Sequence, residues 1–231
     1  NVPFDENNQI STEAFYIDIY EVNEDLYTNP EHDPEHEAII NYPKSSISIE
    51  SARDWCSNGR SSDNNSNILN QTPALSDFRL PTESEWYVAA AIEYDINNDQ
   101  IKERYDYTVQ VENGIITCAF GNILNCSGES PGPFTVGYYN GDNSPEYQKS
   151  ISPNGLYDCN GNVKEWTEKS ENFPHLNGLG NVIMSGDFLS PEVNAKNNYL
   201  EYESEEFFEH STIGFRTVIT APPPINVIDD E

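Results

Sequence analysis

Asn154-Gly-Leu-Tyr-Asp-Cys-Asn-Gly-Asn-Val-Lys-Glu-Trp166 is the stretch on which the reading of this chain turns. Its Asn-Gly pairs mark tight turns. Asp158, Asn160, Asn162 and Glu165 add side-chain oxygens, the hard ligands that calcium selects. Gly161 frees the backbone to bend sharply enough for carbonyl oxygens to face a shared ion. The stretch begins like a calcium loop of the EF-hand type, which needs Gly at its sixth position and Glu at its twelfth. Glu165 follows Asp158 too closely for that loop, so the EF-hand reading fails. Residue chemistry alone leaves two readings open: a cation loop, and a polar turn leading into a strand that buries Trp166.

Other segments stand around it in a fixed order. Phe15-Tyr-Ile-Asp-Ile-Tyr-Glu-Val22 starts with the alternation of a strand. Ala52-Arg-Asp-Trp-Cys56 lies in a helix capped by Ser48 and stopping near Gly59. Phe78-Arg-Leu-Pro-Thr-Glu-Ser-Glu-Trp86 holds a capping box, in which Thr82 and Glu85 satisfy each other's amides. The helix that follows buries Trp86 and the Val88–Ile92 face. Val182-Ile-Met-Ser-Gly-Asp-Phe188 and Ile213-Gly-Phe-Arg-Thr-Val218 complete the series, the latter inside a strand from Ile213 to Ile219.

With the central stretch, these segments resemble the formylglycine-generating enzyme (sulfatase-modifying factor) family, from about Phe15 to Val218. The resemblance implies an α+β fold of C-type-lectin-like form, with short antiparallel strands, two main helices and much irregular loop. It implies a domain at 15–220, while the polar residues 1–14 read as an arm and 221–231 as a Pro-rich acidic tail. Cys118-Ala-Phe-Gly-Asn122 resembles a family turn, and Thr135-Val-Gly-Tyr-Tyr139 the strand after it. A glycine-rich strand that family members carry before Phe15 has no counterpart, which leaves a sheet edge open to an arm or another chain.

The resemblance also implies a site. Asp158 and Glu165 match calcium ligands through their side chains, Gly161 and Val163 through their carbonyls. Asn125 and Cys126 are the nearest equivalents of a second calcium pair, in a shortened segment without the expected Asp. The family's oxidation of a substrate cysteine uses a copper-binding cysteine pair, and Ser190 and Ala195 stand at those positions. Thiolates suit copper(I) where hydroxyl and methyl groups do not. No cysteine follows Cys159, so neither copper nor a catalytic or cofactor-binding residue is expected. The sulfoxide-forming branch uses a three-histidine iron site; the scattered histidines here give no such set.

Forty acidic residues against eleven basic ones give a net charge of −29. Such a surface repels nucleic-acid phosphates and anionic membranes, and no apolar run of membrane length or signal peptide is present. The chain starts at Asn1, which reads as a processed or excised segment. Cys56, Cys118, Cys126 and Cys159 are even in number, as in an oxidising compartment. Cys118 with Cys126 is the expected pair, leaving Cys56 with Cys159; four unpaired thiols are the alternative. Asn64, Asn70 and Asn125 open glycosylation-type tripeptides, a pattern common by chance in so Asn-rich a chain. The expected location is secreted or cell-surface.

The remaining segments read as connections. Asn29 to Glu37 is a solvated loop whose His32 and His36 are separated by Pro34, which breaks a shared helix face. Gly59–Ser76 and Ser170–Asn181 are exposed loops, and Gln100–Gly114 an irregular hairpin. No nucleophile elbow, phosphate-cradling glycine loop or zinc helix is present.

Three functions compete. The first is a calcium-stabilised, non-catalytic surface module that builds an assembly or binds a partner protein. The second is a lectin-like or variable ligand-binding protein using residues 188–211, with Tyr199 and Tyr202 as aromatic platforms. The third is an enzyme of the same superfamily with altered chemistry.

Overall fold

The computed structural model of the chain describes residues 14–28, 42–60, 78–90, 93–94, 103–104, 115–169, 180–197 and 199–220. The terminal arm and tail, His32 and His36, and most of the two polar loops at 59–76 and 170–181 lie outside these residues.

Strand β1 spans Phe15–Ile17, followed by the short helix α1 at Glu24–Thr28. Helix α2 covers Ile49–Asp54, and the Ser48 hydroxyl accepts from the Ser51 amide as its cap. The helix then widens into a π-type turn, Trp55–Arg60, rather than running on as α-helix to Gly59. Helix α3 is Glu83–Ala90, and residues 91 and 92 of the expected apolar face lie outside the described residues. Its capping box is formed: the Thr82 amide donates to Glu85 Oε2 at 2.8 Å, and the Glu85 amide to Thr82 Oγ1 at 3.2 Å.

Strands β2 (Glu93–Tyr94) and β3 (Glu103–Arg104) pair as a small antiparallel ladder, so the hairpin begins before Gln100. The main sheet contains β4 (Lys164–Thr167), β5 (Asn181–Met184), β6 (Leu200–Glu203) and β7 (Ile213–Gly214), in the order β6-β5-β4-β7. Three of its strands are antiparallel neighbours, whereas β7 runs parallel to β4. The expected closing strand is divided. Residues 215–217 leave the main sheet, and β8 (Val218–Thr220) pairs instead with β1, Phe15 opposite Thr220.

The central strands β4 and β5 are buried on both faces, which explains the unbroken apolar run Val182-Ile-Met184. Alternate residues of a strand face opposite ways. Trp166 and Ile183 join Ile49, Ala52 and Cys56 of the α2 region in one core. Val182 and Met184 join Trp86, Ala90 and Cys159 of the α3 side in another. The two buried cysteines therefore belong to separate clusters. Cys118 and Cys126 are disulfide-bonded as expected, while Cys56 and Cys159 are thiols, which corrects the second expected pair.

Thr135–Tyr139 is a turn, not a strand, closed by the Tyr138 amide on Thr135 O. Its Gly137 amide is drawn inward onto the Asp158 carboxylate. Among the described residues no helix is long and apolar enough to cross a membrane.

Candidate functional site

The Asn160-Gly-Asn162 turn is the hub of the loop region. Gly161 has φ +100°, and a Cβ there would stand 2.3 Å from Asn122 O, so only glycine lets the two loops meet. Asn162 donates to Glu21 Oε2 at 2.8 Å and accepts from the Phe134 amide at 2.8 Å. Asn160 donates to Ala195 O and to Asn197 Oδ1, each at 2.8 Å. The side-chain oxygens read as possible cation ligands thus serve as cross-links between Glu21, Phe134 and the 195–197 segment.

Glu165 is committed in a different way. Its Oε2 accepts from Arg216 Nε and Trp86 Nε1, both at 2.7 Å, and its Oε1 from Arg216 Nη2 at 2.6 Å. Arg216 is fully buried and spends its other donors on backbone carbonyls: Tyr157 O at 3.1 Å, Asp18 O at 3.2 Å and Ile19 O at 3.4 Å. Asp158 takes the Gly137 amide on Oδ2, while its buried Oδ1 meets no hydrogen-bond partner among the described residues.

Three buried carboxylates, Glu21, Asp158 and Glu165, therefore share one guanidinium. Burial pushes the Asp158 carboxyl up to about 6, against the pull of the Gly137 amide and Arg216. Glu21 is raised well above the ordinary carboxylate range, first by burial and then by repulsion from Asp158 and Glu165. Burial disfavours the charge on Arg216, but Glu165 outweighs it and holds the guanidinium ionised.

A calcium ion held by Asp158, Gly161, Val163 and Glu165 would need the Glu165 carboxylate open. A carboxylate offers about four lone-pair positions, and here Arg216 and Trp86 take Oε2 twice and Oε1 once. The orphaned Asp158 Oδ1 suits a cation, whereas Glu165 has three of its roughly four positions taken, two of them by a guanidinium of like charge. The implied ligand set as a whole does not fit this geometry. Asn125 and Cys126 sit on a turn where Asn125 is exposed at φ 71° and Cys126 is held in the disulfide. Among the described residues no three His, Cys, Asp or Glu side chains cluster as a metal-binding group.

Ser190 and Ala195 lie in a filled corner. The Ser190 hydroxyl donates to Asp187 Oδ1 at 2.9 Å and accepts from the Asp187 amide at 3.0 Å. Ala195 is buried with Ile116 and Ile123, and its backbone lies against Gly186, where a Cβ would come within 2.9 Å of Ala195 Cα. Asp187 and Glu201 both engage Lys164, at 3.3 and 2.8 Å.

Tyr199 is tied into that network rather than free as a platform: its hydroxyl donates to Glu201 at 3.0 Å and accepts from Asn194 at 3.1 Å. Tyr202, on the edge strand β6, is 38% exposed. Beside the Ser190 corner, the Leu124 amide reaches Ser190 O at 3.0 Å. Leu124, Leu189 and Val193 are exposed there at 41%, 43% and 60%.

Residues 5–221 match the sulfatase-modifying factor enzyme 1-like domain, nearly the full chain. The chain belongs to that family. No curated protein matches this sulfatase-modifying-factor-like chain. Among solved structures, the Treponema denticola variable protein 1 is similar at a TM-score of 0.61 and 18% identity, with 90% of this chain and 84% of that one covered. PvdO from Pseudomonas aeruginosa is similar at 0.57 and 14% identity, covering 88% and 79%. CarF is similar at 0.57 and 16% identity, covering 90% and 87%. At these identities the likeness shows the shared fold, on which sites vary independently.

Within this sulfatase-modifying-factor-like domain, the residues that organise the loop core include two that the sequence motifs did not single out, Glu21 and Arg216. The available signal was their charge inside otherwise apolar segments, Tyr20-Glu-Val22 and Gly214-Phe-Arg216. Lys164, Asp187 and Glu201 carried no such signal in so acidic a chain.

Proposed function

We propose that this chain is a non-catalytic, secreted or surface-displayed binding module of the sulfatase-modifying-factor-like family, and that its partner is another protein. The observation that carries this reading is the Ser190–Ala195 corner. Where the resemblance calls for two copper-binding thiolates, one position is a hydroxyl capping a turn on Asp187 and the other a methyl sealed in a core. Neither binds copper(I), and the Ala195 backbone lies so close to Gly186 that a Cβ there would come within 2.9 Å of Ala195 Cα.

A partner contact is favoured at the adjoining surface. Leu124, Leu189 and Val193 bring exposed apolar side chains to one corner of a chain with net charge −29. Apolar patches on an otherwise charged surface are characteristic of interaction sites. The ligand-binding alternative on residues 188–211 draws on the exposed Tyr202, and the fold is shared with a protein named for its variability.

The test is a copper(I) competition titration with the full chain, followed by incubation with a cysteine-containing peptide. The expected result is no stoichiometric copper and no loss of peptide thiol. Tight equimolar copper with peptide oxidation would overturn the reading. Light-scattering mass of the parent and of Leu189→Asp/Val193→Asp then tests the contact. An assembly dispersed by the substitutions supports self-association, and a monomer directs the search to other proteins.

A further inference from the structure

We infer that Arg216 is the resident cation of the loop core, so that this chain closes its family-type ion loop without calcium. The inference grows from the mismatch at Glu165. An ion on the implied ligands would tie the central motif to strand β4. Arg216 already makes that connection. Its five N–H donors reach Glu165 on β4 twice, Tyr157 in the motif, and Asp18 and Ile19 after β1. A guanidinium has five donors and no more, so each is used.

The geometry is that of a paired internal charge. Arg216 and Glu165 form a bidentate pair at 2.6 and 2.7 Å, with side chains 0% and 1% exposed. Charge-assisted forks of this kind are short and directional. Trp86 fixes the carboxylate from its other side. A dication bound through Glu165 would have to share these two oxygens with a guanidinium of like charge. The turn itself is shaped by other means: Gly161 by its approach to Asn122 O, and Asn162 by bonds to Glu21 and Phe134.

Asp158 Oδ1 is the observation that would favour an ion, and it defines the decisive variant. The experiment uses the full chain in chelator, and in equal concentrations of calcium or magnesium, with thermal unfolding followed by circular dichroism. The expected result is the same folded spectrum in chelator. Both cations should produce the same small shift, by screening of the acidic surface. Asp158→Asn should retain that behaviour. A saturable rise in Tm that is specific for calcium and lost in Asp158→Asn would overturn the inference. So would unfolding of the parent in chelator. Arg216→Met supplies the second arm: it is expected to lose the cooperative transition or most of its Tm, and a parent-like Tm would equally overturn the inference.

Discussion

Trp86 Nε1 lies 2.7 Å from Glu165 Oε2, joining helix α3 to strand β4 across 79 residues of chain, with both residues buried. Trp86 thereby fixes one side of a carboxylate whose other side is fixed by Arg216. The Trp86→Phe substitution keeps most of the aromatic volume and removes the donor. The expected loss is about 1–3 kcal/mol, the cost of a buried polar partner left short of a hydrogen bond. Urea unfolding followed by circular dichroism measures it, and an unchanged midpoint would refute the assignment.

Glu85 gives a pH-dependent contribution. Burial alone would raise its carboxyl, but the Arg79 fork at 2.7 Å and the Thr82 amide together bring it below its ordinary 4.5. A carboxylate lowered in the folded state contributes stability above its unfolded value, and this is lost as pH falls through the folded value. The parent is therefore expected to exceed Glu85→Gln by about 1 kcal/mol at neutral pH, a figure reduced for the exposure of Arg79. Below pH 4.5 the gap should narrow, and it closes beneath the lowered folded value. Paired urea titrations from pH 7 downward check this; a gap that widens in acid contradicts it.

Cys56 and Cys159 are predicted to be unreactive thiols in the folded chain. Burial pushes each up to about 12, so little thiolate forms at neutral pH. Alkylation followed by intact-mass measurement should show no label before denaturation and two labels after it, with the Cys118–Cys126 bridge intact. A fully oxidised chain, with no thiol available even after unfolding, would show that the two cores exchange their cysteines.

Gly161→Ala is expected to be among the most damaging single substitutions in the loop region. A left-handed backbone costs an L-residue roughly 1–2 kcal/mol, and the added Cβ must also displace Asn122 O from 2.3 Å. Near-ultraviolet circular dichroism should show lost tertiary packing, whereas Gly155→Ala, whose Cβ meets nothing within 4 Å, should retain it. Equal behaviour of the two variants would rule out close approach as the cause.

The fold was legible in the sequence because its motifs are local devices. The Thr82–Glu85 box and the Ser48 cap are written within four residues of chain and form as read. The division of the closing strand was not legible. It arises because Arg216 turns inward to meet Glu165, a pairing between distant segments. The same long-range pairing commits Glu165, one of the expected calcium ligands, to Arg216. Cysteine parity suggested a bridge that the two-faced sheet forbids, since the pattern of Val182, Ile183 and Met184 divides the interior into two. Tyr199 read as a platform because composition shows a hydroxyl but not its bond to Glu201.

The register of β1 against β8 sets how the domain answers tension. Phe15 opposes Thr220, so the two strands present their outer ends at the same edge of the ladder. A load applied between residues 15 and 220 pulls this seam apart one rung at a time, instead of shearing all its hydrogen bonds together. The Arg60 fork on Asp18 and the Asp18 amide on Thr217 O follow immediately behind the last rung. They act as a latch: once they give way, the load passes to the Arg216 centre, and peeling at the rim becomes rupture of the interior.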